Sequence, residues 1–147
     1  MSATAAVLAV TREFPASASA VGLARDRVEN ALIRWDCAGV VADAISIVGE
    51  LMANAIEVSG VLDCVKVHAR VEGRRVVLAV WDCDAALPCP QQVELSLETL
   101  DVGEDSWDDN GGWGLTIVQS LSSAYWVELT PPRGKWVCAA LACGRLR

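Results

Sequence analysis

The sequence predicts an α+β fold, a two-layer sandwich in which helices cover one face of a mixed, mainly antiparallel sheet. Two periodicities carry this prediction. Apolar residues recur at spacings of three and four in two segments of the first half of the chain, whereas apolar and polar residues alternate in the middle and near the end. The 147 residues, 53% of them hydrophobic, suffice for one compact core, so we expect a single domain over residues 1–147.

The elements are expected in the order strand, two helices, hairpin, loop, helix, hairpin. The expected bounds are a strand at 5–14, helices at 19–35 and 40–58, hairpin strands at 65–71 and 76–81, a helix at 114–122, and strands at 125–129 and 136–142. A long polar stretch, 98–112, separates the first hairpin from the last helix. Connections of this length in a compact domain are commonly functional lids or disordered segments.

The charge balance argues against nucleic acid and anionic membranes as partners. There are 12 Lys and Arg against 19 Asp and Glu, a formal charge of -7, and no basic tract to neutralise phosphates. No apolar run approaches the roughly 18 residues that span a bilayer. The apolar stretch near the start lacks a preceding basic residue and is interrupted by Arg12 and Glu13, which argues against a signal peptide. We therefore expect a cytoplasmic protein.

The six cysteines are scattered and do not form the closely spaced pairs that zinc sites use. The single histidine, His68, stands alone between strand-like neighbours. We interpret the cysteines as reduced thiols that pack as small buried hydrophobes, and His68 as a surface strand residue. A thiol redox or zinc-responsive sensor is the alternative.

Glu50 and Asn54 are polar residues four positions apart in an otherwise apolar helix. This spacing puts both side chains on one helix face. Asparagine is costly to bury without hydrogen-bond partners, so its place among apolar residues needs a reason. Two interpretations stay open at this point: a solvated stripe at the helix edge, or a site in which the Asn54 oxygen binds Mg²⁺ and Glu50 polarises a nucleophile.

Two further segments have residues suited to a ligand. Asp82 follows an apolar strand, where its carboxylate can accept a hydrogen bond from a ligand amine such as that of adenine; a turn-forming aspartate is the alternative. Gly112 and Gly114 precede an amphipathic segment. Glycines let the backbone approach a phosphate, and a helix N-terminus offers unpaired N–H groups, whereas a flexible connector is the other interpretation.

In this order the motifs resemble those of the GHKL ATPase superfamily. The likeness lies in ELMANA at 50–55, Asp82 after a strand, GWGL at 112–115 before a helix, and GKWV at 134–137 at the last strand. Within that superfamily the chain is most similar to the RsbW-like anti-sigma-factor serine kinases and to small ATP-binding regulatory proteins of filamentous bacteria.

The resemblance implies a Bergerat-type sandwich that binds ATP and Mg²⁺. It implies that Glu50 is the general base, that Asn54 is the Mg²⁺ ligand, and that Asp82 reads the adenine amino group.

The resemblance also assigns the nucleotide contacts of the glycine-rich segment. Gly112, Gly114 and Leu115 would contact the bound nucleotide, and the stretch from about Leu97 to Gly111 would be the ATP lid.

Three residues depart from the pattern of these relatives. Asp84 adds a second negative charge beside the expected adenine pocket, Trp113 stands where small relatives have arginine, and Trp136 replaces a threonine. The expected lid is acidic, with Lys135 and Arg133 as the nearby cations. Unit charges at close range near a protein surface interact by several kcal/mol, so an acidic lid predicts weakened ATP binding unless Mg²⁺ offsets its charge.

The resemblance implies a homodimeric regulator whose partner is a sigma factor, an anti-sigma antagonist or a DNA-binding regulator. Phosphorylation of a serine on an antagonist protein is the activity it suggests, and whether the chain is an enzyme stays open. The alternative is a catalytically decayed partner-binding module that pairs with a helix-turn-helix regulator and binds nucleotide weakly or not at all.

Overall fold

The computed structural model describes residues 8–84 and 110–143, with side chains from residue 116 onward in the second range. The elements are β1 (Ala9–Pro15), α1 (Ser19–Arg34), a 3₁₀ turn (Ala38–Val40), α2 (Val41–Glu57), β2 (Cys64–Glu72), β3 (Arg75–Asp82), α3 (Asn110–Leu121), β4 (Ala124–Leu129) and β5 (Lys135–Ala142). This is the expected order of helices and strands. Residues 5–7 of the first expected strand lie outside the described residues.

The strands of the described residues form one five-stranded sheet in the order β1-β2-β3-β5-β4. Each pairing between neighbours is antiparallel. Because β3 pairs with β5, the end of the first hairpin lies beside the start of the last strand. The α+β sandwich expected from the sequence is therefore confirmed.

The main core lies between one face of this sheet and the helices. α1 and α2 pack on each other, and α2 also packs on β3 and α3. The largest fully buried side chains include Val28 and Leu32 of α1, Ile47, Leu51 and Met52 of α2, and Val65, Val67, Val76 and Leu78 of the first hairpin. Full burial of such side chains contributes about 1.5–3 kcal/mol each, so the apolar periodicity of the helices dictates which face meets the sheet.

The helical segment Ala38–Glu57 is long and apolar enough, by length and composition, to cross a membrane. One such helix is weak evidence for a membrane span, and Asp43 and Glu50 interrupt its apolar sequence. The packing gives a physical reason for the composition, because α2 contacts α1, α3 and the sheet and buries several apolar side chains there. Charged residues, Asp43 and Glu57, remain exposed near its two ends.

α3 begins earlier than expected. The glycines of the 111–114 run suggested a loop and a helix start at Gly114, but the helical backbone begins at Asn110. Each glycine costs a helix about 0.5–1 kcal/mol relative to alanine, which disfavours but does not prevent a helix once the following turns have formed. Residues 97–109 of the expected lid lie outside the described residues.

On the opposite face of the sheet, three tryptophan rings each lie beside a basic side chain. The pairs are Lys66 Nζ over Trp81 at 4.7 Å from the ring centroid, Arg75 Cζ over Trp126 at 5.5 Å, and His68 edge-on to Trp136 at 6.1 Å between centroids. Small side chains on this face are buried, namely Val77, Ala79, Cys138 and Ala140. The tryptophans therefore supply apolar cover on the face where the described residues place no helix.

The five described cysteines are free thiols. Cys37, Cys138 and Cys143 are buried, which confirms the interpretation of these three as small core residues, whereas Cys64 and Cys83 are half-buried. Burial raises the pKa of Cys37 to about 11 and that of Cys138 to about 12. Among the described residues no three His, Cys, Asp or Glu side chains are grouped closely enough to hold a metal ion.

Candidate functional site

The site begins with Glu50 and Asn54, one turn apart on α2 and both partly exposed. The Nδ2 atom of Asn54 is buried and has no hydrogen-bond partner among the described residues. An unsatisfied buried donor costs about 1–3 kcal/mol. A solvated stripe at the helix edge would leave such a donor in water, so the burial of Nδ2 favours a bound group that accepts its hydrogen bond.

Arg25 of α1 lies against α2 at Gly49, the residue before Glu50. A β-carbon placed on Gly49 would be 3.6 Å from Cδ of Arg25, so the missing side chain leaves room for the arginine stem. This brings a cation to the part of α2 that carries Glu50. The sequence does not show this contact, because which residues of two helices meet depends on how the helices pack.

Asp82 lies buried at the end of β3, with Lys135 directly opposite on β5. The Lys135 Nζ atom donates to Asp82 Oδ1 at 2.8 Å and to the Asp84 carbonyl oxygen at 2.6 Å. The backbone N–H of Asp84 donates to the same Asp82 oxygen at 2.9 Å. Asp82 is thus half of a buried ion pair and not an isolated carboxylate awaiting a ligand.

Burial raises the pKa of the Asp82 carboxyl, and the hydrogen bonds from Lys135 and from the Asp84 N–H act in the opposite direction. Each of the two charged residues is 2% exposed. Separating such a pair leaves an uncompensated buried charge, which is far more costly than losing an exposed ion pair. The pair is therefore a fixed part of the site.

The turn before Lys135 is anchored to Trp81. The Trp81 Nε1 atom donates to Thr130 Oγ1 at 3.0 Å, and that hydroxyl donates to the Arg133 carbonyl oxygen at 2.8 Å. Gly134 has φ +95°, and a β-carbon there would lie 2.5 Å from the Trp81 ring. The turn therefore requires glycine at this position. Its close packing on Trp81 holds the backbone just before Lys135, the first residue of β5.

Alternation along the strands separates Trp136 from this pair. Asp82 and Lys135 share the sheet face of the main core, whereas Trp136 lies on the opposite face beside His68. Trp136, which replaces a threonine of the similar proteins, therefore does not share a sheet face with Asp82. The residue that does lie beside Asp82 is Lys135, and Asp84 contributes its backbone N–H and carbonyl group.

α2 contacts the two elements that contain the other predicted site residues. It packs on β3, which ends in Asp82, and on α3, whose first turns include Gly112, Gly114 and Leu115. The side chains at 112–115 are not described, so the nucleotide contacts assigned to these three residues stay a prediction.

A family model for the histidine kinase-like ATPase domain matches residues 14–141. The chain belongs to this family. The match includes the six predicted site residues and Lys135. No curated protein matches the chain. Membership in this ATPase family implies a nucleotide site, typically with Mg²⁺. The site must then hold three parts of the ligand, namely the metal ion, the phosphates and the base.

The α2 residues of this ATPase domain fit the metal and phosphate end of the ligand. Amide and carboxylate oxygens are the ligands that Mg²⁺ prefers, and Nδ2 of Asn54 is a donor for which a phosphate oxygen is a suitable acceptor. The base end fits less well, because Oδ1 of Asp82 already accepts two hydrogen bonds. An adenine amino group at Oδ1 would compete with the Lys135 ammonium, whereas Oδ2 accepts from neither Lys135 nor the Asp84 N–H.

Proposed function

We propose that this histidine kinase-like ATPase domain is a cytoplasmic ATP-binding regulator that binds a transcription regulator, as RsbW-like anti-sigma-factor serine kinases do. Its partner would be a sigma factor, an anti-sigma antagonist or a DNA-binding regulator. The observation that carries the proposal is the buried, unpartnered Nδ2 atom of Asn54, one turn from Glu50. The match over residues 14–141 supports the nucleotide part of the proposal.

In this proposal the side-chain oxygen of Asn54 holds Mg²⁺ and its Nδ2 atom donates to a phosphate oxygen. Bound Mg²⁺ would neutralise charge on the phosphates. Glu50, partly exposed on the same helix face, accepts the proton of an attacking hydroxyl group, such as that of a serine on an antagonist protein. Phosphoryl transfer depends mainly on positioning and charge stabilisation. Glu50, Asn54 and bound Mg²⁺ would supply the groups that such a serine kinase needs.

Calorimetric titration with ATP and ADP, with and without Mg²⁺, tests nucleotide binding by the reduced protein. We expect Mg²⁺-dependent binding by the parent and none by Asn54→Ala, with the far-ultraviolet circular dichroism of the variant unchanged. Asn30→Ala is a matched control, because it makes the same substitution at an exposed asparagine of α1 that is not a predicted site residue. If Asn54→Ala bound ATP as the parent does, the Glu50 and Asn54 spacing would be only a helix pattern.

Catalysis is tested separately with Glu50→Ala. We expect this variant to retain nucleotide but to lose phosphoryl transfer, because the proton of the attacking hydroxyl then has no acceptor. The measurement is transfer of labelled phosphate to a serine-bearing antagonist. Transfer at the parent rate would remove Glu50 from the mechanism.

The proposal includes a homodimer. Leu23 and Ile33 of α1 are 50% and 53% exposed, so this helix offers apolar surface to a second copy. Sedimentation equilibrium measures the mass in solution, and a monomer at all protein concentrations would contradict this part of the proposal.

The second candidate function is a partner-binding module that has lost nucleotide binding. The buried ion pair between Asp82 and Lys135 favours it, because the pair occupies the carboxylate expected to read adenine. No detectable heat with any nucleotide at millimolar concentration would support this candidate over the first.

A further inference from the structure

We propose that Cys64 and Cys83 form a redox-modification site, at which a small disulfide such as oxidised glutathione converts the two thiols into a cross-strand disulfide bond. The two residues lie at the open end of the hairpin of β2 and β3. Cys64 is the first residue of β2, and Cys83 follows Asp82, the last residue of β3. Both are free thiols and half-buried. The inference is independent of the proposed function, because it requires no nucleotide.

The register of the hairpin brings the two cysteines to the same place. Lys66 and Trp81 are Cα partners, and the Lys66 Nζ atom lies over the Trp81 ring on the outer face of the sheet. Two residues further along each chain, the same register and alternation put Cys64 opposite Cys83 on this face. Residues directly opposite in antiparallel strands have Cα atoms about 4.5–5.5 Å apart, and a disulfide spans about 4.4–6.8 Å.

Side-chain contacts agree with this placement. The Gly60 N–H and the Cys83 thiol both donate to the carboxylate of Asp63, the residue before Cys64, and these hydrogen bonds lower the pKa of Asp63. The Cys83 sulfur therefore reaches the chain at the start of β2. The pKa of Cys64 is raised by its hydrogen bond to Glu13 and by burial, and the neighbouring Cys83 adds to this effect. Such an electrostatic effect requires the two thiols to be close.

The other described thiols are less accessible. Cys37, Cys138 and Cys143 are buried. Cys37 and Cys143 are hydrogen-bonded to each other, so they are a second pair, but they are 0% and 2% exposed. Thiol–disulfide exchange needs a thiolate that the reagent can reach, and burial raises the pKa of Cys37 to about 11. A reagent in solution should therefore oxidise the half-buried pair first.

The reaction consists of two successive thiol–disulfide exchanges. One protein thiolate attacks a sulfur of the small disulfide, forms a mixed disulfide and expels one small thiolate. The second protein thiolate then attacks the protein sulfur of the mixed disulfide and expels the other small thiolate. The bond between Cys64 and Cys83 thus replaces the S–S bond of the reagent. Two electrons pass to the reagent, and the two protons lost by the protein thiols are taken up by the two small thiols.

The test is incubation of the reduced protein with oxidised glutathione at mildly alkaline pH, followed by alkylation, proteolysis and mass spectrometry. We expect a bond between Cys64 and Cys83 as the main product. Cys64→Ser and Cys83→Ser should each stop at the mixed disulfide of the remaining thiol with glutathione, because the second exchange then has no nucleophile. Cys143→Ala is the matched control: it removes one thiol of the buried pair and should leave the product and its rate of formation unchanged.

The melting temperature tests whether the bond fits the folded hairpin. Closing a loop with a disulfide stabilises a domain of this size enough to raise its melting temperature by roughly 4–16 °C. A lower melting temperature for the oxidised protein would overturn the proposal, because the bond would then form only by distorting the fold. Absence of any intramolecular bond in the parent, or a main product that joins Cys37 to Cys143 or any other pair, would overturn it as well.

Discussion

Gly134→Ala perturbs the turn that positions Lys135, and the structure gives two independent costs. Gly134 has φ +95°, a backbone conformation that alanine adopts with strain. A β-carbon at this position would also lie 2.5 Å from Cζ2, 2.7 Å from Cε2 and 2.8 Å from Nε1 of Trp81. Because the ring is held by its hydrogen bond to Thr130, it cannot move away without losing that bond.

The expected loss of stability follows from adding the two costs. A positive φ costs a residue with a β-carbon about 1–2 kcal/mol, and forcing extra atoms into a packed site costs about 1–3 kcal/mol. The free energy of unfolding should therefore fall by about 2–5 kcal/mol. For a domain of this size each kcal/mol lowers the melting temperature by about 2–4 °C, so a fall of roughly 4–20 °C is expected.

Two other glycines make matched controls for urea unfolding followed by tryptophan fluorescence. Gly73 has φ +64° with nothing within 4 Å of a built β-carbon, so Gly73→Ala measures the backbone cost alone. Gly39 also has open space and lacks a positive φ, so Gly39→Ala should be nearly neutral. The difference between Gly134→Ala and Gly73→Ala then measures the clash with Trp81.

Equal losses for Gly134→Ala and Gly73→Ala would refute the reasoning, because the Trp81 ring would then contribute nothing. A loss for Gly39→Ala as large as for the other two would show that the series measures a general intolerance of alanine. The reasoning requires the order Gly134, Gly73, Gly39, from the largest loss to the smallest.

Two further predictions concern stability and thiol chemistry. Gly22→Ala should raise the free energy of unfolding by about 0.5–1 kcal/mol in the same urea titration, because Gly22 lies in α1 with open space around it. Burial raises the pKa of Cys37 to about 11 and of Cys138 to about 12, so unfolded thiols ionise at lower pH than folded ones. Stability should therefore fall as pH rises above the ordinary thiol value of 9.0. Iodoacetamide should label both thiols faster in urea than in the folded protein, and equal rates would contradict their burial.

The fold could be predicted from sequence because its elements are encoded locally. Helix periodicity placed α1 and α2 within a residue or so of their observed ends, and alternation with a Gly73 turn placed the first hairpin. The start of α3 was predicted at residue 114, whereas the helix begins at Asn110. The glycines of the 111–114 run disfavour a helix locally, but the helix that follows extends back through them.

Part of the candidate site was also visible in the sequence. The spacing of Glu50 and Asn54 is a property of one helix, so it needed no knowledge of packing. Asp82 was found because it follows an apolar strand. Its partner was missed, because Lys135 is 53 residues away and the sequence indicated it only as a nearby cation. A lysine at the start of the last strand becomes a signal only once that strand is known to pair with β3.

The order of helices and strands and the faces they bury follow from the sequence, because each depends on spacing within one segment. The spacing of Glu50 and Asn54 follows in the same way, whereas their role toward a nucleotide comes from the family resemblance. The pairing of Asp82 with Lys135 and the place of Trp136 on the other face of the sheet required the folded structure. These facts depend on the register between β3 and β5, which are separated by a long stretch of chain. A shift of one residue in that register would turn Lys135 away from Asp82 and bring Trp136 toward it.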